Sequence, residues 1–459
     1  MQDAVSEVKL RDDEGAIRSE FLHAVQEALE ANEAATVREL TLELHEADLA
    51  DLIQLLRQDE RAPLIAILGR DFNAAALPEL DEAVRDQVLE AMPAEQVAEA
   101  LQQLDSDEAV YLIENLDKED QSDILAKLPS FERAALERSL EYPEDSAGRI
   151  MQTDLIAVPP FWSVGQTIDY MRDSQELPDR FYEIFVVDPA FHLIGSVGLD
   201  RLLRTKRPIA IDAITDTDIR PIPANSDQED VAREFERYNL TSAPVIDDDR
   251  RLVGVITADD VVEVIQEEAS EDILRMGGVS GSSVNDTVWR TQRHRFIWLV
   301  INLGTALLAA YVISLFDATI DEMVALAVLM PIVASMGGNA AGQTMTVTVR
   351  AIATKDLGPA NTPRVVGREV TVGLLNGLVF AVLLGIIVYL WFGNDELGMV
   401  IAAAMVINFI VAAVAGIMIP LTLDYLDIDP AIASGVFVTT LTDVIGFFSF
   451  LGLAALWLV

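Results

Sequence analysis

Thr439-Thr440-Leu441-Thr442-Asp443-Val444-Ile445-Gly446-Phe447 lies within an apolar stretch, residues 430–459, in which Asp443 is the one charged residue. As a helix rising about 1.5 Å per residue, the stretch puts Asp443 roughly 20 Å from Pro430 and about 24 Å from Val459. That is the middle of a bilayer core about 30 Å thick. An aspartate at the centre of a spanning helix costs about 2.5–3.5 kcal/mol, so such residues face a bundle interior or water and commonly mark an ion path. The alternative is a structural carboxylate bonded to neighbouring hydroxyls. In either case Asp443 needs a cation or hydrogen-bond donors.

Four further apolar segments precede it, at about 296–316, 323–349, 370–392 and 398–423, each long enough to span. The second contains Pro331-Ile332-Val333-Ala334-Ser335-Met336-Gly337-Gly338-Asn339-Ala340-Ala341-Gly342-Gln343-Thr344. So many Gly, Pro and amide residues are tolerated in a membrane only where freed backbone groups meet protein or a water-filled cavity. Gly337 and Gly338 allow close backbone approach or exposed carbonyls, and ordinary small-residue packing explains them as well. Asn339 and Gln343, at i and i+4, share one face, as Thr439, Thr440 and Gly446 share the Asp443 face. These segments supply oxygen ligands without sulfur or imidazole, a set that suits Mg2+ or Ca2+.

Charge divides the chain. From Arg293 onward there are six Lys or Arg and eleven Asp or Glu, so the total of −43 leaves about −38 on the first 292 residues. Such a front repels nucleic acid and attracts divalent cations, although many soluble proteins are simply acidic. The absence of cysteine excludes disulfides and thiolate zinc sites. The start, Met1-Gln2-Asp3-Ala4, is polar and acidic and carries no signal-peptide core. Arg350, Lys355, Arg364 and Arg368 occupy the loop after the second span, and Trp289, Arg290, Arg293 and Arg295 precede the first. The positive-inside rule therefore puts the N-terminus in the cytoplasm and, with five spans, the C-terminus outside. The loop with Asp424, Asp427 and Asp429 then faces the cytoplasm without basic residues.

Within the front, residues 21–141 read as short helices with apolar positions three and four apart. The decapeptides at 44–53, 92–101 and 116–125 resemble one another, which suggests an α-superhelix of stacked helix pairs. From about 146 the texture becomes α/β. Phe185-Val186-Val187-Asp188 with Leu193-Ile194-Gly195-Ser196-Val197 recurs as Pro244-Val245-Ile246-Asp247 with Leu252-Val253-Gly254-Val255-Ile256, and each copy runs into a helix. This tandem resembles a pair of CBS domains, which generally form a regulatory module. The resemblance implies a ribose site at Thr257 and Asp260 in the second copy, hence ATP or another adenine nucleotide; the first copy has Gly198-Leu199-Asp200-Arg201 and lacks the hydroxyl. The helix 259–276 that leaves the module carries Asp259, Glu263 and Glu267 on one face, a repulsive spacing unless a cation or solvent relieves it. Gly277-Gly278 and Gly281-Ser282-Ser283 then loosen the chain.

Taken together, Gly337-Gly338-Asn339 through Gln343, the Asp429-Pro430-Ala431 to Thr442-Asp443 block, the CBS tandem, the superhelix and five spans in that order resemble the MgtE family of magnesium channels. The fold expected is multidomain: an all-α N-terminal superhelix over 1–145, an α/β tandem CBS pair over 146–268 (about 146–205 and 206–268), a long connecting or plug helix within 259–292, and a five-helix α transmembrane domain over 293–459. The resemblance implies a homodimer in the inner cell membrane whose second and fifth spans line a cation pore. It places pore and inner-mouth ligands for Mg2+ at Asp443, Asn339, Thr439, Gly337 and Asp429, and regulatory Mg2+ ligands among Asp227, Asp247, Asp259, Asp260 and Glu263. The family often has Gly five places into its Gly-Gly-Asn motif, where this chain has Ala341, with Gly at 342. A Mg2+-gated channel is the leading expectation. An ion-coupled secondary transporter and a membrane-anchored sensor are the alternatives, and no constellation of catalytic residues argues for an enzyme.

Overall fold

The computed structural model describes residues 9–114, 116–174, 177–178, 180–279, 288–358, 360–426 and 428–458. The Met1-Gln2-Asp3-Ala4 start, the Gly281-Ser282-Ser283 stretch and Asp427 lie outside the described residues. The chain falls into two compact units, a front ending at Glu267 and a second beginning at Glu268.

The front opens with helices α1 (Ser19–Glu30), α2 (Ala34–Thr41), α3 (Glu46–Leu55), α4 (Gln58–Leu68), α5 (Glu82–Ala91), α6 (Ala94–Leu101), α7 (Ser106–Glu114), α8 (Lys118–Leu125) and α9 (Ser130–Leu140). The three similar decapeptides start α3, α6 and α8. Each has an apolar residue (Leu44, Met92 or Leu116) two positions ahead of the helix and packed on the common core, a placement that fixes how the chain enters the helix. Helices this short are marginal alone and gain their stability from one buried face. In α3 that face is Leu49, Ala50, Leu52 and Ile53, in α6 Val97, Ala98, Ala100 and Leu101. One continuous apolar cluster from Phe21 to Leu136 joins them.

Two three-stranded sheets follow. In the first, β1 (Ala157–Val158) runs parallel to β2 (Glu183–Val187), which pairs antiparallel with β3 (Leu193–Gly198). The second repeats this with β4 (Ile222–Pro223), β5 (Ser242–Ile246) and β6 (Leu252–Thr257). Helices α10 (Val164–Asp173) and α11 (Leu199–Arg204) belong to the first copy; α12 (Gln228–Tyr238) and the first half of α13 (Ala258–Met276) belong to the second. The copies agree in detail. Phe191 and Arg250 both hold positive φ, 67° and 63°, in the turn between the last two strands, where Asp188 and Asp247 accept backbone N–H groups of His192 and Arg251. The turns pair across the copies, with Leu193 N–H on Arg250 and Leu252 N–H on Phe191, above a shared core of Phe185, Val187, Leu252 and Val255.

In the second unit α13 ends at Met276, and Gly278 at φ 69° turns the chain away. Among the described residues, five helices are long and apolar enough to cross a membrane: α14 (Val288–Ser314), then, after short α15 (Asp317–Glu322), α16 (Ala325–Ala353), α17 (Thr362–Phe392), α18 (Asp395–Tyr425) and α19 (Pro430–Trp457). Helix α18 is the centre of this unit: 61% of its apolar window is buried, against 11–28% in the other four. It packs on α16, α17 and α19 through Val400, Ile401, Ala404, Met405 and Phe409. Helix α14 exposes Leu299, Leu303, Leu307 and Tyr311, an apolar surface suited to lipid or another protein.

Candidate functional site

Helix α19 begins where Asp429 caps it, its Oδ1 accepting the Ala431 N–H at 2.7 Å, with Pro430 in the first turn. Fourteen residues into the quoted apolar stretch comes Asp443, half-buried, its carboxylate unpaired among the described residues. One turn earlier, the Thr439 and Thr440 hydroxyls donate to carbonyls of the preceding turn, Gly435 at 2.8 Å and Val436 at 2.5 Å. Their protons are thus spent on backbone and their lone pairs remain for a cation or its water. Thr439 is exposed.

Helix α16 runs unbroken through Gly337-Gly338. Ser335, Asn339, Gln343 and Thr346 are all exposed and lie on one face. Among the described residues, Asn339 and Asp443 of one chain, both expected to line the pore, make no direct hydrogen bond to each other. Gly337 lies on the opposite side of the helix from Asn339, buried against α18, where an added Cβ would stand 2.1 Å from Asn408 Nδ2. Of the two roles read for the glycines, close approach belongs to Gly337; Gly338 faces open space. Ala341 is also buried, its carbonyl packed close to Gly416.

Asn408 is the residue that sequence reasoning missed here. It is completely buried in the middle of α18, donates from Nδ2 to Val333 O at 2.8 Å, and leaves Oδ1 buried without a partner among the described residues. A buried acceptor without a donor costs about 1–3 kcal/mol. A single asparagine in an apolar run was its only sequence signal.

Asp429 was expected at the inner mouth as a ligand, but its Oδ2 holds Arg275, which also pairs with Glu271. Beside them, burial and then the charge of Asp429 push the Asp272 carboxyl above its usual range. Met276 packs with Ala341, Met345, Val349, Ala412, Ala431 and Val438, so the end of α13 lies on the ends of α16 and α19.

A second site lies within the front. Helix α7 carries Asp107 and Glu108 in its first turn, and Thr153 N–H donates to Ser106 Oγ at 2.7 Å, tying that turn to the chain entering the CBS pair. Asp107 faces Asp260 of α13, and one Asp107 oxygen is buried without a partner among the described residues. Asp260 accepts from Thr257 N–H at 3.0 Å, from the Thr257 hydroxyl at 2.7 Å and from Gln152 at 3.4 Å. Asp259, exposed, accepts from the same hydroxyl. Burial is the main cause that pushes the carboxyls of Asp107, Asp260 and Glu263 upward, and each is raised further by acidic neighbours. Glu108 is pushed up to about 7, by burial and then by Asp105.

Carboxylates crowded in this way must share protons or a cation. Among the described residues no three acidic or histidine side chains converge tightly enough to hold a metal unaided. The pair fits an ion that keeps most of its waters, as Mg2+ does. Asp227 and Asp247 stand at turns of the second CBS copy: Asp227 caps α12 through Glu229 N–H at 2.9 Å, and Asp247 closes its turn through Arg251 N–H at 2.8 Å. Asp107 and Glu108 escaped sequence reasoning because an acidic first turn is ordinary in a helix.

A pH dependence follows. The Glu108 pKa is raised on folding, so its stabilising contribution is complete below the unfolded value of about 4.5 and is lost as pH rises through about 7. Metal-free protein should lose thermal stability across that window, and the increment from Mg2+ should grow as the carboxylates ionise. Thermal unfolding at pH 5 and 8, with and without Mg2+, measures both; a Mg2+ increment independent of pH would exclude the cluster as a cation site.

Among the described residues, five helices of spanning length follow an acidic helical domain and a CBS pair, and the polar side chains at mid-span offer oxygen and no sulfur or imidazole, a combination that fits a membrane protein of the cation-transporting class. Comparison with known families matches residues 330–453 to MgtE, divalent cation transporter, residues 44–145 to the MgtE intracellular N domain, and residues 147–207 and 211–267 to CBS domains. The chain is 33% identical over 448 residues to the magnesium transporter MgtE of Enterococcus faecalis, covering 97% of this chain and 99% of the relative. It is 34% identical over 456 residues to that of Thermus thermophilus, covering 95% and 98%. The chain belongs to the MgtE family. Among solved structures it resembles the soluble part of a magnesium transporter (28% identity, TM-score 0.48, 55% of this chain and 98% of that one). It also resembles the cytosolic domain of the Mg2+ channel MgtE in complex with ATP (28%, TM-score 0.49, 53% and 99%).

Proposed function

We propose that the chain is a Mg2+ transporter that works as a channel, assembled from two copies and closed by Mg2+ on its cytosolic front. The observation that carries this reading is Asp443, an unpaired, half-buried carboxylate at mid-span. Family membership supports Mg2+ as the cargo. The exposed row Ser335, Asn339, Gln343 and Thr346 supports pairing with a second copy, since polar groups in a membrane do not face lipid. Two copies of Asp443 around one axis would hold a hydrated Mg2+ through its water and release it readily. Asn339 and Thr439 would offer oxygens to that water. The membrane is the inner cell membrane, with the front in the cytoplasm and the C-terminus outside. The basic loop Arg350, Lys355, Arg364 and Arg368 supports this orientation.

Gating is assigned to cations at Asp107 and Asp260, with Glu108, Asp259 and Glu263 around them. High Mg2+ favours the arrangement in which these carboxylates meet; low Mg2+ lets them repel, a bias between two states. The Thr257–Asp260 spacing supports an adenine nucleotide at the second CBS copy as a further input.

The test is Mg2+ flux into vesicles holding the full-length protein, with proton and sodium gradients clamped to zero. Flux that follows the Mg2+ electrochemical gradient, and falls when Mg2+ bathes the front, is expected. Flux that requires a proton or sodium gradient would establish a coupled transporter, and no flux a membrane-anchored sensor. Adding ATP on the side of the front reads the nucleotide site, which is discarded if ATP leaves the Mg2+ dependence of closure unchanged.

A further inference from the structure

Asn408 joins three spans at one level. Its Nδ2 is bonded to Val333 O of α16, and its amide abuts Gly337 of α16 and Gly446 of α19. An added Cβ would come 2.1 Å from Nδ2 at Gly337 and 3.0 Å from it at Gly446. The amide cannot be turned over, because the Val333 carbonyl requires a donor facing it. Gly337 is two residues from Asn339, and Gly446 is three from Asp443. Among the described residues Oδ1 has no partner, and it lies 2.9 Å from the Cβ position of Gly337 and 3.4 Å from that of Gly446, so the amide is held in a low-dielectric interior between the two helices that carry Asn339 and Asp443. An aliphatic side chain would fill this place without burying an unpaired oxygen. The asparagine therefore does something that packing does not require.

We propose that Asn408 is a positioning residue of the cation path. Bonded to α16 and wedged between two glycines, it sets the separation and rotation of α16 against α19. It thereby sets how the Asn339 and Asp443 faces stand to each other. The inference rests on the pore reading above.

Full-length protein in vesicles tests it through the half-saturating Mg2+ concentration and the preference for Mg2+ over Ca2+, with thermal stability measured alongside. Asn408→Leu should fold at least as stably as the parent, since a buried unpaired oxygen is removed. It should nevertheless raise the half-saturating Mg2+ or reduce the Mg2+ preference by about tenfold. Gly337→Ala alone should lose stability and flux, and Gly337→Ala with Asn408→Ala should regain stability but not selectivity. Should Asn408→Leu fail to fold, Asn408→Ala supplies the same two readouts. Wild-type half-saturation and selectivity in the Asn408 variants, whatever their stability, would overturn the proposal. Asp443→Asn, run in parallel, separates the two ideas: wild-type flux there removes the pore reading itself. A dead Asp443→Asn beside unchanged Asn408 variants removes this inference alone.

Discussion

Asp443→Asn should reduce Mg2+ flux by about 100-fold or more while leaving the protein folded. The attraction between a divalent cation and one carboxylate about 5 Å away, through water, is about 7 kcal/mol at an effective dielectric of about 20. Much of this is offset by the hydration each partner gives up, and a retained difference of about 2.7 kcal/mol already amounts to 100-fold. The amide keeps the shape and removes the charge, so a half-buried site without a cationic partner among the described residues of its own chain should become no less stable. Flux is read in vesicles and folding by elution as a single species with unchanged thermal unfolding. Wild-type flux and selectivity in Asp443→Asn would end the pore assignment.

Asp107→Asn should act in the opposite sense on the front: more stable without metal, less responsive to it. The neutral amide can donate to Asp260, turning a repulsive contact into a hydrogen bond and satisfying a buried group, a change of about 1–3 kcal/mol. For a unit of this size each kcal/mol moves the midpoint by about 2–4 °C. The metal-free transition should rise by several degrees, and the further rise on adding Mg2+ should shrink by half or more. Hydrogen exchange in α7 and the first turns of α13 should then be nearly indifferent to Mg2+. A variant that responds to Mg2+ as the parent does would show that the cation acts elsewhere.

Periodic features were legible in the sequence. The apolar runs announced five helices of spanning length, and the described residues contain five. The strand pairs recurring 59 residues apart became two sheets with the same strand order and the same pairing. Asp443 was legible because a lone acid in an apolar run stands out against its neighbours, and Asn339 because its amide interrupts a similar run. Gly337 was ambiguous in the sequence: a glycine serves either close packing or an exposed carbonyl, and only its neighbour tells which.

What remained hidden depended on partners remote in the chain. The Asn408–Val333 and Arg275–Asp429 contacts join residues 75 and 154 positions apart. Asp107 and Asp260 come from different domain types: Asp260 was a candidate from the sequence, but its neighbour Asp107 looks alone like an ordinary solvated acid at a helix start.

The sequence by itself determined the helices, the repeats, the spans and the charge at mid-span, because these arise from patterns repeating every two to four residues that the backbone geometry reads locally. The tertiary structure alone decided which acids are crowded together, which glycine is packed, and that one asparagine stands between two spans. Those outcomes follow from burial and desolvation, which exist only once distant segments have met.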